Sequence, residues 1–507
     1  SGITGTPNIT VGIMTGTLIG DGSSLTGLAS TAFVANNVTA NSSTTAIDLS
    51  NGNTIKFTQS ANTTVSFANT GTTNLLSFIR IKDSGSTART ITWPSTIKWD
   101  GGSAPELIQS QEGDDVQLIN LLTRDEGVTW YGWQDMKDDI LPLLPARELW
   151  VWGGNETGGL GQNEPASTVD ARSSPVQIPG TNWYTAQSSD PSNSASAMKS
   201  DRSGWGWGRN YAGMMADNSP TNTNRSSPIQ IAGMWNILKI GGYHGMGIKT
   251  DGALWMWGSN SRGVLGQNSL IKRSSPVQVG SATDWSYISV GYEGTAAAIN
   301  TSGELWTWGY GQLGGNGVNN RTQYSSPVQV PGTTWSQVSR GNYASGAIKT
   351  DGTLWTWGNG DDGNLGQNNQ TKRSSPTQVP GTTWSKVCMG NWGQGSAGLK
   401  TNGTLWVWGR NESGQLGQGN TTHYSSPRQI PGTTWNNVLV GRDVMIATRT
   451  DGTLWAWGNN TMGQLGQNNT TLYSSPKQIP GTGWALGPEM DHINGFNGGP
   501  IVALKDI

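Results

Sequence analysis

Cysteine is almost absent from this chain: Cys388 is the only one in 507 residues. No internal disulfide can form, and Cys388 falls at a strand position where other repeats carry Ser339 or Ser289, which reads as a buried, inert thiol. Histidine is nearly as scarce. His244, His423 and His492 show no metal-ligand spacing, so neither a metal nor a cofactor is expected. Charged residues are only 13% of the chain, and 31 basic against 33 acidic residues leave a net charge of -2. A nucleic-acid surface needs an excess of Lys and Arg to displace counterions, so nucleic acid is not an expected partner. No apolar run approaches the roughly 18 residues that span a bilayer, which argues against membrane insertion, and no charged-then-apolar segment opens the chain. Ser1 stands where a start methionine would, and reads as a processed start or a fragment boundary.

Tryptophan and glycine are abundant instead, and they are periodic. A Trp-x-Trp-Gly strand recurs about every fifty residues, at Trp150/Trp152, Trp205/Trp207, Trp255/Trp257, Trp306/Trp308, Trp355/Trp357, Trp406/Trp408 and Trp455/Trp457. A third tryptophan joins each pair: Trp183, Trp235, Trp285, Trp335, Trp384, Trp435 and Trp484. The unit reads Ser-Ser-Pro-x-Gln-(Ile/Val)-Pro-Gly-Thr-x-Trp, then a glycine, then Lys-Thr-Asp-Gly-x-Leu-Trp-x-Trp-Gly, then Gly-Gln-Leu-Gly-Gln. Four short strand-like runs per unit match one four-stranded blade. Residues two apart share a strand face, so both indoles are expected to point toward a neighbouring blade. The pairs Asp251-Gly252, Asp351-Gly352, Asn402-Gly403 and Asp451-Gly452 predict two-residue hairpin turns with positive φ at both central positions.

The ends of the repeat array are informative. Seven Ser-Ser-Pro segments run from Ser173 to Pro476, and the last leads into Ala503 to Lys505 without its own Trp-x-Trp strand. That strand stands at the other end, from Leu149 to Gly153, so one composite blade is expected to close the ring and leave no sheet edge. The expected fold is all-β: a seven-bladed β-propeller closed by amino- and carboxy-terminal strands, preceded by a β-sandwich-like domain.

The order of residues from Gly241 to Gly258 resembles the regulator of chromosome condensation repeat, whose members are seven-bladed propellers. The resemblance covers about 360 residues. Blade two departs from it: Arg202 replaces the turn glycine, Gly204 replaces leucine, and Tyr211 to Met215 replace Gly-Gln-Leu-Gly.

Residues 1–135 follow a different rule. Thr54 to Thr58 and Val65 to Phe67 alternate as half-exposed strands. Leu75 to Lys82, Arg89 to Trp93, Ile97 to Trp99, Val116 to Leu122 and Val128 to Trp133 suggest a compact sandwich, with Asp125 to Gly127 turning the last pair. Three passages resemble phage tail-fibre and other virion structural proteins: Gly20 to Leu28, Ile91 to Gly102, and Thr129 to Trp133. The chain is therefore divided into an extended attachment or stalk-like segment (1–47), a sandwich-like domain (48–135), a linker (136–147) and the propeller (148–507).

Patterns that would carry chemistry are weak. Gly309 to Gly314 and Gly358 to Gly363 match Gly-x-Gly-x-x-Gly, but no helix follows to offer its amino terminus to a phosphate. Asp114-Asp115 and Asp361-Asp362 lie in turn-like stretches, and no nucleophile elbow is present. No enzyme activity is expected.

Two sets of positions remain for binding. The loop after the mid-repeat glycine differs most between units, and holds Tyr243, His244, Tyr292, Glu293, Asn342, Tyr343, Asn391, Trp392, Arg442, Asp443, and His492 to Phe496. Loops that vary on a rigid scaffold are where recognition concentrates. A second ring precedes each Ser-Ser-Pro: Arg172, Arg225, Arg273, Tyr324, Arg373, Tyr424 and Tyr473. These side chains either lie over the next blade's tryptophan or form multivalent contacts to sugars or carboxylates.

The composition, the resemblances and the loops together point to a virion fibre or spike protein. Its propeller would contact a host-surface glycan or protein, and its amino-terminal region would join other virion proteins or form a homo-oligomer such as a trimer. The alternative is a bacterial secreted or surface adhesin or filament subunit that uses the propeller for protein contacts.

Overall fold

The computed structural model describes the chain from residue 35 onward, except residues 41, 52–53, 69–74, 83–88, 100–103, 105–115, 124–128, 135–146, 165–169, 190–192, 219–222, 312, 391–394, 488–489, 491–492 and 494–498. Nearly all of the expected linker, most of the expected stalk and the turn at Asp125 to Gly127 lie outside the described residues. The chain divides into two compact units, residues 1–144 and 145–507.

In the amino-terminal unit the chain switches sheet at each of its first four strands. Ala35–Ala40 pairs in parallel with Thr54–Gln59, which pairs in parallel with Leu75–Lys82. Thr44–Asp48 pairs in parallel with Thr63–Ala68 in a second sheet. Parallel neighbours need a crossover, and here the strand in the opposite sheet supplies it. Val116–Thr123 and Trp130–Gln134 then add antiparallel strands to the larger sheet. Both sheets bury one side in a shared core that includes Ile47, Ile55, Phe57, Val65, Phe78, Ile119 and Trp130. Two sheets face one another in this unit, and Ala35–Ala40 and Thr44–Asp48, within the segment expected to be extended and stalk-like, are paired strands of those sheets. Their alternation is too short to separate a rung from an extended segment by pattern.

The second unit is a closed propeller of seven blades, each with strands a to d from the axis outward. Blade 5 shows the plan: a Trp335–Arg340, b Ala344–Lys349, c Leu354–Gly358 and d Arg373–Val379, paired antiparallel in that order. Blade 1 is composite. Its a and b strands, Trp484–Ala485 and Ile501–Asp506, come from the carboxy terminus, and its c and d strands, Arg147–Gly154 and Ala171–Ile178, from the start of the array. Arg147–Trp152 pairs with Ile501–Asp506 in unbroken antiparallel register. Between blades 2 and 3 a single strand, Arg225–Ile240, serves as d of one and a of the next. Ala232 stands there where most junctions have proline, so no missing N–H interrupts the strand.

The Trp-x-Trp pair does not act as one unit. The second indole of each pair is fully buried and donates its N–H to a carbonyl in the preceding blade's c–d loop, as from Trp408 to Asn364 (2.8 Å) and from Trp457 to Gln415 (2.7 Å). The first indole stays half-buried. Trp455 donates within its own blade to the Thr453 hydroxyl at 2.9 Å, with the Arg449 guanidinium 4.4 Å from its ring. Lysine takes that covering role in other blades, as Lys349 does over Trp335 and Trp355. The third indole meets the pair edge-on, with Trp435 6.2 Å from both Trp455 and Trp457.

The hairpins between b and c also differ from expectation. In Thr350-Asp351-Gly352 only the glycine has positive φ, 75°. The Asp351 carboxylate accepts from the Thr353 N–H (3.0 Å) and hydroxyl (2.7 Å), which makes a three-residue loop closed by an Asx turn. Blade 2 holds Arg202 at that glycine's place with φ 64°.

Neighbouring blades are hooked together around the whole ring. Gly363 has φ +75°, and a Cβ there would lie 2.6 Å from the Ser425 Cα of the next blade; five residues on, the Asn368 N–H donates to the Ser425 carbonyl at 2.7 Å. The ring closes with the same contact, Asn468 to Ser173 at 2.8 Å. At the axis the innermost strands are joined by side chains. Ser289 accepts from the Arg340 N–H, Ser339 from the Met389 N–H, and the Cys388 thiol donates to the Val438 carbonyl at 3.1 Å. Cys388 is buried and in no disulfide. Arg340 is buried too. Burial lowers its guanidinium to about 9, still above neutrality, and the charge is met by the Ser345 hydroxyl (2.5 Å), Asn316 (3.2 Å) and the Gly315 carbonyl.

Candidate binding face

Strand direction decides which loops share a rim. Strand a ends where b begins and c ends where d begins, so the a–b and c–d loops emerge together, while the Asp-Gly hairpins lie at the opposite rim. Backbone hydrogen bonds tie the two loops within a blade, as from Ser259 N–H to the Tyr243 carbonyl (2.9 Å) and from Tyr310 N–H to the Gly294 carbonyl (2.9 Å). The glycine after each Trp-x-Trp permits this approach: a Cβ on Gly358 would stand 2.2 Å from the Tyr343 carbonyl oxygen.

On this rim an aromatic arc crosses blades 2 to 5. Tyr211 and Tyr243 have ring centres 5.1 Å apart, and Tyr243 and Tyr292 5.4 Å, with their hydroxyls at 3.3 Å. Farther along, Tyr310 and Tyr343 are 6.0 Å apart. Two arginines lie along the rings: Arg209 at 5.6 Å from Tyr211 and 5.7 Å from Tyr243, and Arg262 at 4.9 Å from Tyr310. Tyr211–Tyr243 and Tyr310–Tyr343 each join the c–d loop of one blade to the a–b loop of the next, and Tyr243–Tyr292 joins the a–b loops of blades 3 and 4. Between blades 3 and 4 a cavity of about 150 Å³ opens, lined by Tyr243, His244, Ser259, Ser261, Arg262, Val264, Tyr292 and Gly294.

His244 is buried beneath the arc, and neither ring nitrogen finds a partner of hydrogen-bond geometry. Burial draws its imidazole down from 6.5 to about 4, with the Thr295 main chain acting in the opposite direction. The ring is therefore neutral at pH 7. Between about pH 6.5 and 4 the unfolded chain takes up a proton that the folded chain refuses, so folding stability falls as pH drops through that window, by roughly 3 kcal/mol at its lower end. Denaturant titrations at pH 7, 5.5 and 4.5 should show this loss, and His244→Leu should flatten it. An equal slope in the variant would remove His244 as the cause.

The rest of the rim is charged. Arg410 and Glu412 form an ion pair, Arg442 and Asp443 lie 3.6 Å apart, and Lys372 and Asp361 3.2 Å apart. Burial raises the Asp443 carboxyl, against the pull of Arg442 and Arg410, while Arg410 holds Glu412 below its ordinary value.

The candidates expected from the variable loop thus separate into groups. Tyr243, His244 and Tyr292 meet at the cavity, Tyr343 joins the arc through Tyr310, and Arg442 and Asp443 belong to the charged cluster. Asn342 is buried, 2% exposed, with its amide unmet, so it does not face solvent. Asn391, Trp392, His492, Phe496 and the side chain of Glu293 lie outside the described residues.

The ring before Ser-Ser-Pro mostly turns inward to its own blade. Arg172 pairs with Glu164 at 3.0 Å and Arg225 with Asp217 at 2.5 Å. The hydroxyls of Tyr324, Tyr424 and Tyr473 accept from Asn320, Asn420 and Asn469 at 2.9, 3.1 and 3.3 Å. Tyr424 and Tyr473 also border clusters that include the next blade's Trp457 and Trp152. Arg273 is exposed, and the Arg373 Nε is buried without a partner. The cations found over tryptophan are those of strand b instead, because their side chains share the indoles' face.

Arg209, Tyr211, Arg262 and Tyr310 were not anticipated. The position after Trp-x-Trp-Gly reads Gly154, Arg209, Ser259, Tyr310, Asn359, Arg410 and Asn459, which is as variable as the a–b loop. That variability would have found Arg209 and Tyr310; the third and fourth positions after the same glycine, which hold Tyr211 and Arg262, vary in the same way.

The fold and its rim define a ring-closed propeller that displays loops on a rigid scaffold. Residues 143–499 match the RCC1-like domain, and the chain belongs to that family. Similar solved structures include human WBSCR16, at 19% identity over 71% of this chain and 99% of that one, with a TM-score of 0.60. Yeast RCC1 (Prp20), solved with Kap60 bound, is 15% identical over 72% of this chain and 89% of that one, also with a TM-score of 0.60. A 34-residue stretch is 56% identical to human RCC2, and spans 7% of this chain and 6% of RCC2. The solved structures, at these identities, share the fold. The family match leaves the amino-terminal unit outside it.

Proposed function

We propose that this chain is a virion fibre or spike protein whose propeller binds a host-surface glycan through the aromatic arc, without covalent chemistry. The observation that carries this is the run of tyrosines from Tyr211 to Tyr292. Tyr211 is exposed and Tyr243 half-buried, with the buried Tyr292 behind them, and aromatic faces held on a rigid rim suit the C–H faces of sugar rings, which the negative π-face attracts. Several carboxylates of the rim are held by cations, which supports binding over acid–base catalysis. The low charge and the resemblance of residues 20–28, 91–102 and 129–133 to tail-fibre proteins support a virion setting. The amino-terminal unit then joins other virion proteins and brings copies together, so that weak contacts gain avidity.

A glycan array with the full chain is expected to show a restricted set of bound saccharides. Tyr243→Ala should reduce binding about tenfold or more, in line with the loss of a central aromatic anchor. Absence of binding to any glycan, or capture of a host protein unaffected by Tyr243→Ala, would sink the reading. A strictly monomeric mass in solution would count against the fibre setting.

A further inference from the structure

We propose that the ligand of the arc is an acidic saccharide, whose carboxylate or sulfate is held by Arg262 and Arg209 at the cavity between blades 3 and 4. This rests on the arc being the glycan-contacting face, and it names the class of sugar.

Among the described side chains the charge at the site is unbalanced. Arg209 lies against the rings of Tyr211 and Tyr243 and Arg262 against that of Tyr310, and among the described residues neither forms an ion pair. Elsewhere on the rim Arg410, Arg442 and Lys372 each have a carboxylate within 4 Å, as do Arg172 and Arg225. A guanidinium stacked on an aromatic face keeps its N–H edge free, and that edge matches a carboxylate or sulfate with two parallel hydrogen bonds. The two arginines flank one feature: Arg262 lines the cavity, and Arg209 lies over the Tyr243 ring that lines it as well.

The cavity is built for a polar group of limited size. Its volume of about 150 Å³ accommodates part of one sugar residue rather than a peptide segment. Hydroxyl-bearing Ser259, Ser261, Tyr243 and Tyr292 line it, and the ring nitrogens of the buried His244 have no partner of hydrogen-bond geometry among the described residues. Buried polar groups are normally satisfied, and one without a partner at a cavity wall marks where a ligand hydroxyl or amide would bond. Gly294 holds the far side open: its φ is +83°, and a Cβ there would lie 2.9 Å from the Arg262 Cβ and displace that side chain. The tyrosines on either side extend the contact to adjoining sugar rings, which separates this site from a bare anion pocket.

The test compares matched ligands on the full chain by calorimetry: 3′-sialyllactose against lactose, a glucuronic acid-terminated disaccharide against its glucose counterpart, galactose 6-sulfate against galactose, and oligoglutamate as an acidic peptide. An acidic member of at least one pair is expected to bind about tenfold or more tightly than its neutral counterpart, with affinity falling as salt rises. The carboxylated and sulfated arms tell the two sources of the anion apart. Arg262→Gln and Arg209→Gln should each remove most of that preference, whereas Arg428→Gln, an equal charge change on an outer strand of blade 6, should not. Equal binding of neutral and acidic members overturns this inference and leaves the glycan reading standing. No saccharide bound overturns both, and oligoglutamate bound more tightly than every sugar overturns both in favour of a protein partner. Unchanged thermal midpoints establish that the arginine variants are folded, and Arg262→Lys, which keeps the charge but loses the planar fork, should restore only part of the preference.

Discussion

Removal of residues 501–507 is expected to unfold the propeller, not merely to fray its end. Those residues form strand b of blade 1, which sits between the short a strand at Trp484–Ala485 and the c strand from the start of the array. Ile501, Val502, Ala503 and Leu504 are fully buried. At about 1.5 to 3 kcal/mol for each of the three larger side chains, the deletion removes roughly 5 to 9 kcal/mol of apolar burial, against a total of about 5 to 15 for a typical folded protein. It also leaves Arg147–Trp152 as an open sheet edge, a template for pairing with other chains. The deletion protein should appear largely in aggregates, and any soluble fraction should lose the cooperative thermal transition. Leu504→Asp should act in the same direction with the chain length kept, because it buries a carboxylate with no cation beside it. A truncated chain that melted with the full-length protein would show that the ring does not depend on its composite blade.

The second large effect separates two tryptophans that the repeat treats alike. Trp457→Ala should destabilise the propeller by about 3 to 5 kcal/mol, because it opens a cavity in the core shared by blades 6 and 7 and leaves the Gln415 carbonyl without its indole donor. Trp455→Ala, two residues away on the same strand face, should lose only about 1 to 2 kcal/mol, since its ring is half-exposed and keeps, besides the edge of Trp435 and the rim of the core, only the Thr453 hydroxyl and the Arg449 guanidinium. Denaturant midpoints of the two single variants decide the matter. Equal losses would mean that the pair does act as one packing unit.

That contrast shows how far the pattern of residues could be read. The blades, their number and the closing strand at Leu149 to Gly153 were legible because each is written in a short segment that repeats: strand alternation, turn glycines and a missing unit at one end matched by an extra one at the other. The difference between Trp455 and Trp457 was not legible. Both point to one face, and only the neighbouring blade's loop, some forty residues back, decides which of them it covers. The hairpins were misread for a related reason: Asp-Gly fits a two-residue turn, but the Asp351 carboxylate captures the Thr353 N–H and hydroxyl and lengthens the loop to three.

The binding face was half legible. Tyr243, His244, Tyr292 and Tyr343 stood out as variable positions in a constant frame, whereas Arg209, Tyr211, Arg262 and Tyr310 lie in a loop whose flanking glycines and asparagines drew attention away from the positions between them. The ring of Arg172, Arg225 and their counterparts was visible as a ring, but its partners were not, because the acceptors Glu164 and Asp217 occur in only two blades. In the amino-terminal unit the alternation of Ile55, Phe57 and Val65 revealed buried strand faces, but alternation carries no sign of parallel or antiparallel pairing.

By itself, then, the order of residues determined an all-β ring of seven tryptophan-cored blades and the loops free to differ, since periodic local preferences suffice for both. Only the tertiary structure decided which loops face one another, which indole is sealed, and where, among the described residues, Arg209 and Arg262 lie against rings without a carboxylate. Those outcomes depend on contacts between successive blades, and the strand and turn preferences of one segment do not show which residue of the next blade it will meet.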